Sequence, residues 1–473
     1  MFNMKQLKQE LAKSPANGLM TIFQEFIRLE ATGGILLILM TATALIWANS
    51  PWSESYFNLW QTKMAIGFGG WALSKGLILW INDGLMAIFF FVVGLEIKRE
   101  VLAGELASLR KAALPLTAAI GGMAAPALIY MLFNAGTEGV VGWGIPVATD
   151  IAFTLGVLAL LGTRAPLALK VFVTALAIVD DIGAVLVIAL FYTSEIAWVS
   201  LAIGAGILLL LIALNRAGVG RPLPYAVLGV GLWFAFLYSG MHATIAGVLL
   251  AMTIPARAKV DTESFLVKSR AAIQDYEEAC CDEGAIAESG KQAAARILEL
   301  ASESVESPLQ RLEHHLHPWV IYVIMPIFAL ANAGVALSSK DFLVAFSSPI
   351  SLGIVAGLVI GKPVGISLLS WLAVRAGLAE LPQGVTMRHV LGAGFLAGIG
   401  FTRSLFIANL AFPSSELLAV AKVGILSASL IAGLIGWGLI RSLPSAVARE
   451  GAEAGSPMEG GYETGDRLRL GGI

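Results

Sequence analysis

The stretch LALKVFVTALAIVDDIGAVLVIALFY, residues 167–192, decides what kind of molecule this is. It is long enough to cross a bilayer as one helix, which takes about 20 apolar residues, yet two adjacent carboxylates, Asp180 and Asp181, stand at its middle. An ionisable side chain at the bilayer centre costs about 2.5–3.5 kcal/mol even on the lenient insertion scale, so such residues mark function by default. Neighbouring helix positions are about 100° apart, so the two carboxylates point different ways. One lines a cavity while the other turns toward a partner helix.

The rest of the chain extends the pattern. Hydrophobic residues make up 57% of the 473 and charged residues 14%, against about 25% charged in soluble domains. The missing charge is missing in blocks, near 31–49, 77–97, 112–133, 143–162, 167–192, 196–214, 223–238, 240–254, 318–337, 349–373, 389–412 and 418–440. Twelve spans make an all-α polytopic membrane protein. Basic residues concentrate on the cytoplasmic side of such proteins. Of the 31 Lys and Arg, all but six fall on the side of the N-terminus; Lys63, Lys75, Lys340 and Lys422 lie opposite, and Lys362 and Arg403 lie inside spans. Both termini are therefore expected in the cytoplasm.

The chain divides into an N-terminal amphipathic segment (1–22), a membrane domain (23–441) and a Gly-, Glu- and Ser-rich tail (442–473) that reads as disordered and cytoplasmic. Within the membrane domain, residues 256–312 form a polar insertion, either helical in part or a solvated loop. A net charge of −2 without a basic stripe points away from nucleic acid. Cys280 and Cys281 offer no disulfide framework or spaced metal-ligand motif, so they read as ordinary thiols, and no cofactor is expected.

Six charged residues fall deep within spans, away from their ends: Asp83, Asp150, Asp180, Asp181, Lys362 and Arg403. Facing lipid they would together cost about 15–20 kcal/mol, so they face one another or water. In the fourth span Pro146-Val147-Ala148-Thr149-Asp150 interrupts the helix, since Pro146 lacks a backbone donor. In the eleventh, Gly392, Gly394, Gly398 and Gly400 precede Phe401-Thr402 and suggest a second break. Paired breaks in matching halves point to a midplane ion site. Half-helix ends bring partial charges into the membrane, and Asp150 and Lys362 have the signs to balance them.

These motifs resemble the NhaA-type Na⁺/H⁺ antiporters from about residue 23 to residue 440. The resemblance rests on WINDGLMAIFFFVVGLEIKRE (80–100), PVATDIAFTLGVLALLG (146–162), LAIVDDIGAVLVIALFYT (176–193), GMHATIAGV (240–248), LEHHLHPWV (312–320), FALANAGV (328–335), GKPVGI (361–366) and GIGFTRSLFIANLAF (398–412). It implies inverted-topology repeats in which broken spans 4 and 11 cross. It also implies an ion-binding pair in Asp180 and Asp181, with Lys362 as salt-bridge partner of Asp180, and Thr149 and Asp150 at the crossing. Glu96, Glu100, Glu313, His314 and His317 match the family's cytoplasmic pH-response cluster, His242 another pH-linked position, and Asp83 a modulatory acid. The connection at about 50–72 resembles an external hairpin that makes dimer contacts, so a homodimer in the bacterial inner membrane is expected.

Two features depart from the family pattern. Arg403 stands where GIGFT-x-SLF usually carries an apolar residue, a place from which it would face the cytoplasmic funnel and alter pH dependence or selectivity. The insertion at 256–312 is also longer than the usual linker.

The expected activity is exchange of cytoplasmic Na⁺, with Li⁺ as a further substrate, for external H⁺. No enzymatic activity is expected. Na⁺ prefers oxygen ligands, and the same carboxylate oxygens bind protons. For competition near neutral pH such a group must titrate above its model value of about 3.9, the direction in which burial and a like-charged neighbour push. Alternating access then makes exchange obligatory. The resemblance implies more protons than Na⁺ per cycle, hence electrogenic, pH-regulated transport serving sodium and pH homeostasis. An intramembrane aspartyl protease also needs two carboxylates, but its Tyr-Asp and Gly-x-Gly-Asp pair is absent and it leaves Lys362 without a role. A channel differs by lacking saturable, proton-coupled flux.

Overall fold

The computed structural model describes residues 15–68, 71–193, 196–257, 262–281, 285–336, 339–412 and 415–444. Residues 1–14 of the expected N-terminal segment and 445–473 of the expected tail lie outside them. From Pro15 the chain already belongs to the first helix, α1 (Pro15–Ala48). A short helix α2 (Ser53–Gln61) and an antiparallel hairpin, β1 (Lys63–Phe68) and β2 (Trp71–Gly76), follow, with Lys63 opposite Gly76. The hairpin begins inside the expected 50–72 connection and runs past it.

The remaining helices are α3 (Leu77–Ala103), α4 (Leu109–Asn134), a 3₁₀ segment Glu138–Val147 leading to α5 (Ile151–Leu160), α6 (Leu167–Phe191), α7 (Trp198–Arg216), α8 (Pro222–Leu237) and α9 (Thr244–Thr253). The polar insertion adopts the helical alternative, α10 (Thr262–Cys281) packed on α11 (Ala285–Val305). Its two ends meet where the Leu309 amide donates to the Pro255 carbonyl at 3.2 Å. Then come α12 (Pro308–Asn332), α13 (Ser339–Ser347), α14 (Pro349–Arg375), α15 (Met387–Ala397), α16 (Phe401–Ala411) and α17 (Ser415–Ser442).

Among the described residues seven helices are long and apolar enough to cross a membrane, and ten spans result if each of three bent pairs counts once. The shorter apolar helices α8 and α9 stand at the seventh and eighth expected positions, separated by a turn through Gly240 and His242. Both expected breaks are present, bending the chain by 43° between Val147 and Ile151 and by 47° between Ala397 and Phe401. The order continuous, broken, continuous occurs in α4 to α6 and again in α14 to α17. The second set begins seven spans after the first, an odd number, so the two run in opposite directions: this is the inverted repeat.

The first continuous helix of each set packs against its counterpart. A Cβ on Gly121 would collide with the Gly365 carbonyl, and one on Gly365 with that of Gly121, so only glycine lets α4 and α14 approach this closely. Three turns widen to π geometry: Trp80–Leu85, Val320–Ile324 and Gly357–Gly361. The last two precede Pro326 and Pro363, whose rings displace the preceding turn and whose missing donors leave a carbonyl free. The turn before Pro363 sets the depth of Lys362.

Capping fixes other starts. Ser307 and Gln310 form a capping box on α12, and Ser348 accepts from the Ser351 amide on α14. A large apolar core joins α1 to α6, α12 and α14 to α17, and a smaller one joins α7, α8 and α9 to one face of α3. Outside these, Val199, Leu190 and Leu132 are 75%, 72% and 80% exposed, a surface suited to lipid rather than water.

Candidate functional site

The polar centre lies where the two interrupted spans cross. The Asp150 amide donates to the Ile399 carbonyl at 2.7 Å, holding one break against the other. Unwinding leaves two helix N-termini (α5, α16) and two C-termini (Glu138–Val147, α15) inside the bundle, with unsatisfied donors and acceptors respectively. Asp150 answers both N-termini. Its Oδ1 accepts from the Phe153 amide at 3.2 Å; its Oδ2 accepts from the Thr402 amide at 3.0 Å and from the Thr402 hydroxyl at closer range.

Lys362 answers one C-terminus. Its Nζ donates to the Val147 carbonyl and to Asp180 Oδ2, the latter at 2.9 Å. Thr149 Oγ1 lies 3.0 Å from the Ala397 carbonyl, at the other C-terminus, and 2.6 Å from Asp180 Oδ2; its single proton serves one acceptor at a time. Asp150, Asp180 and Lys362 have no exposed surface at all.

Asp181, one residue along α6, turns to a different helix, and its Oδ1 is in direct contact with Arg403 Nη1 of α16. Arg403 is therefore buried against the carboxylate pair, its Cζ 5.4 Å from the Phe89 ring centroid. Each carboxylate thus has one oxygen held by a cation. The other oxygen of each, Asp180 Oδ1 and Asp181 Oδ2, is buried and accepts no hydrogen bond. A buried acceptor without a donor is costly and rare, and a hard cation prefers such oxygens.

Two outlying clusters flank this centre. Toward the end carrying α10 and α11, His317 Nδ1 is 3.3 Å from Glu96 Oε1, and Arg99 joins Glu100 at 3.3 Å to Glu313 at 2.8 Å. His314 is exposed on α12, its ring 6.1 Å from that of His315, and joins none of these pairs. Toward the β-hairpin end, Lys75 Nζ reaches Asp83 Oδ2 at 3.0 Å, and His242 Nε2 is 3.9 Å from Asp83 Oδ1. His242 Nδ1 lies 2.7 Å from Thr244 Oγ1. This cluster lines a cavity of about 230 Å³.

A match to the family described as Na⁺/H⁺ antiporter 1 covers residues 24–440. The chain belongs to that family. Among curated relatives, the Na⁺/H⁺ antiporter NhaA of Oleidesulfovibrio alaskensis is 54% identical over 91% of this chain and 96% of its own. That of Koribacter versatilis is 52% identical over 89% and 91%. The Na⁺/H⁺ antiporter NhaA 1 of Saccharophagus degradans is 47% identical over 92% and 94%.

For a member of the Na⁺/H⁺ antiporter 1 family, several residues of the site escaped sequence reasoning. Thr402 follows the glycine run and caps the crossing from the far side; a hydroxyl residue at a helix start was the available signal. Arg99 lies one turn beyond Glu96 and next to Glu100, where it tempers their repulsion, and Lys75 reaches Asp83 from the end of β2, outside the helix that carries the acid. A buried amide cluster also ties three spans together: Asn332 Nδ2 donates to Asn82 Oδ1 at 2.9 Å, and Asn409 Nδ2 to Asn332 Oδ1 at 3.0 Å. Such uncharged polar groups carry no charge to mark them in an apolar span, although they too need partners inside a membrane.

Proposed function

We propose that the chain exchanges cytoplasmic Na⁺, and Li⁺, for external H⁺ by alternating access, with Asp180 and Asp181 as the shared site. The observation that carries this reading is the pair of buried oxygens, Asp180 Oδ1 and Asp181 Oδ2, that accept no hydrogen bond. Each carboxylate holds either a proton or part of a metal ion's shell. Because the two loads use the same atoms, neither crosses with the other. Lys362 pairs with Asp180 and releases its own proton or that contact as Na⁺ arrives.

More protons than Na⁺ per cycle make transport electrogenic. One net inward charge gains about 2.3 kcal/mol per 100 mV, equivalent to about 1.7 pH units at 1.36 kcal/mol each, so the membrane potential drives Na⁺ out even into alkaline surroundings. The His317–Glu96 contact and the Arg99-linked acids Glu100 and Glu313 supply the pH response, since an imidazole changes charge across physiological pH. Asp83 and His242 modulate from the external side. The protein works in the bacterial inner membrane with both termini cytoplasmic, as a homodimer joined through the external hairpin region, in sodium and pH homeostasis.

Sodium-dependent proton flux in everted vesicles tests the reading. Asp181→Asn and Asp180→Asn are each expected to lower exchange at least a hundredfold, and wild-type turnover in both variants would remove the site assignment.

A further inference from the structure

The four charged groups at the centre, Asp180, Asp181, Lys362 and Arg403, cancel when the site holds no ion. A metal ion entering against Asp181 Oδ2 adds a third cation to two carboxylates in a place closed to water. Lys362 has a way to restore neutrality, because a buried ammonium can shed a proton. Arg403 has none: a guanidinium stays charged in proteins. Its only response is to move.

The surroundings of Arg403 show where it goes. Its guanidinium already lies over Phe89 on α3, within cation–π range. Glu96 lies seven residues on, two turns along the same face of that helix, and interacts electrostatically with Arg403. An aromatic step and a carboxylate therefore lead away from Asp181 toward the end of the bundle bearing α10 and α11. Asp150, which also interacts electrostatically with Arg403, is committed to the helix N-termini of the crossing.

We propose that Arg403 is a tethered competitor of the transported ion: its guanidinium occupies Asp181 while the site is empty, and each incoming monovalent cation displaces it along α3 toward Glu96. The inference rests on the reading of Asp180 and Asp181 as the ion site. Arg403 is a specificity-determining residue under this proposal, since it sets the cation concentration at which the site fills. A cation small and hard enough to hold both carboxylates wins the exchange, and one that reaches a single oxygen does not.

The test is the half-saturating Na⁺ concentration of exchange in proteoliposomes at fixed pH. R403M is expected to lower it at least tenfold, and R403K, whose tethered ammonium can shed its proton where a guanidinium cannot, is expected to fall between R403M and wild type. Free guanidinium added to R403A should raise half-saturation back toward wild type in a competitive manner. E96Q, which leaves the arginine in place and removes its landing charge, should raise half-saturation at least threefold, a readout that survives if the Arg403 variants do not accumulate. An unchanged or higher value in R403M, or an unchanged value in E96Q, overturns the proposal. Asp181→Asn separates the two levels: if it is inactive while R403M saturates like wild type, only the competitor falls; if it transports normally, the site reading falls with it.

Discussion

In the fourth span the break is Ala148-Thr149-Asp150, and side chains deal with the helix ends it exposes. In the eleventh the break is Gly398-Ile399-Gly400, which brings no polar side chain and offers only backbone, the Ile399 carbonyl that receives the Asp150 amide. The first break carries the carboxylate and a hydroxyl, and the second the space for them, while Thr402 and Lys362 of the second repeat stand outside its break. A Cβ on Gly398 would strike the Leu358 carbonyl of α14, so the eleventh span is glycine-rich because its backbone lies against another backbone. A single carboxylate then neutralises N-termini from both repeats, and no acid is needed in the second break.

Exchanging roles at the two breaks should be costly in an order set by this division. Asp150→Ala leaves the Phe153 and Thr402 amides without their acceptor, at about 1–3 kcal/mol for each buried donor. A large drop in the unfolding temperature of the solubilised protein and loss of exchange are expected, and an unaltered temperature would mean that the helix N-termini do not depend on it. Gly398→Ala adds one methyl group where there is no room, an overpacking cost of about 1–3 kcal/mol, readable in the same melt. Thr149→Val removes a hydrogen bond worth about 1 kcal/mol and keeps the shape, so a small stability loss with a slower exchange rate is expected.

The smallest effect belongs to a region far from either break. Replacing Thr262–Val305 with a short polar linker is sterically simple, because Pro255 and Leu309 already meet at the base of the insertion, and α10 and α11 pack chiefly on each other. Exchange rates within about twofold of wild type are expected in vesicles. A loss comparable to that of Asp150→Ala would place the insertion inside the transport cycle.

Span positions and both breaks were legible because lipid imposes a simple code of length and apolarity, which proline and glycine interrupt visibly. Charged residues such as Asp150 and Lys362 stood out for the same reason. Their partners did not, because which side chains meet depends on the crossing. Nothing local in GIGFTRSLF says that Arg403 lies on Asp181, and the helical spacing of Asp180 and Asp181 gave divergent directions without naming α14 and α16 as the helices they face. His314 looked like His317 by type and position, yet helix phase leaves it exposed. The insertion remained ambiguous between helix and loop because its polar composition suits either, and the pairing of α10 with α11 decides it.

The most direct measurement uses the purified protein in liposomes with membrane voltage clamped, an imposed Na⁺ gradient, and simultaneous recording of Na⁺ and H⁺ movement. The expected result is acid equivalents flowing opposite to Na⁺ in a fixed ratio above one, with coupling lost when Asp180 and Asp181 are both changed to Asn. Sodium movement without proton counterflow, or coupling that persists in that double variant, would contradict the account.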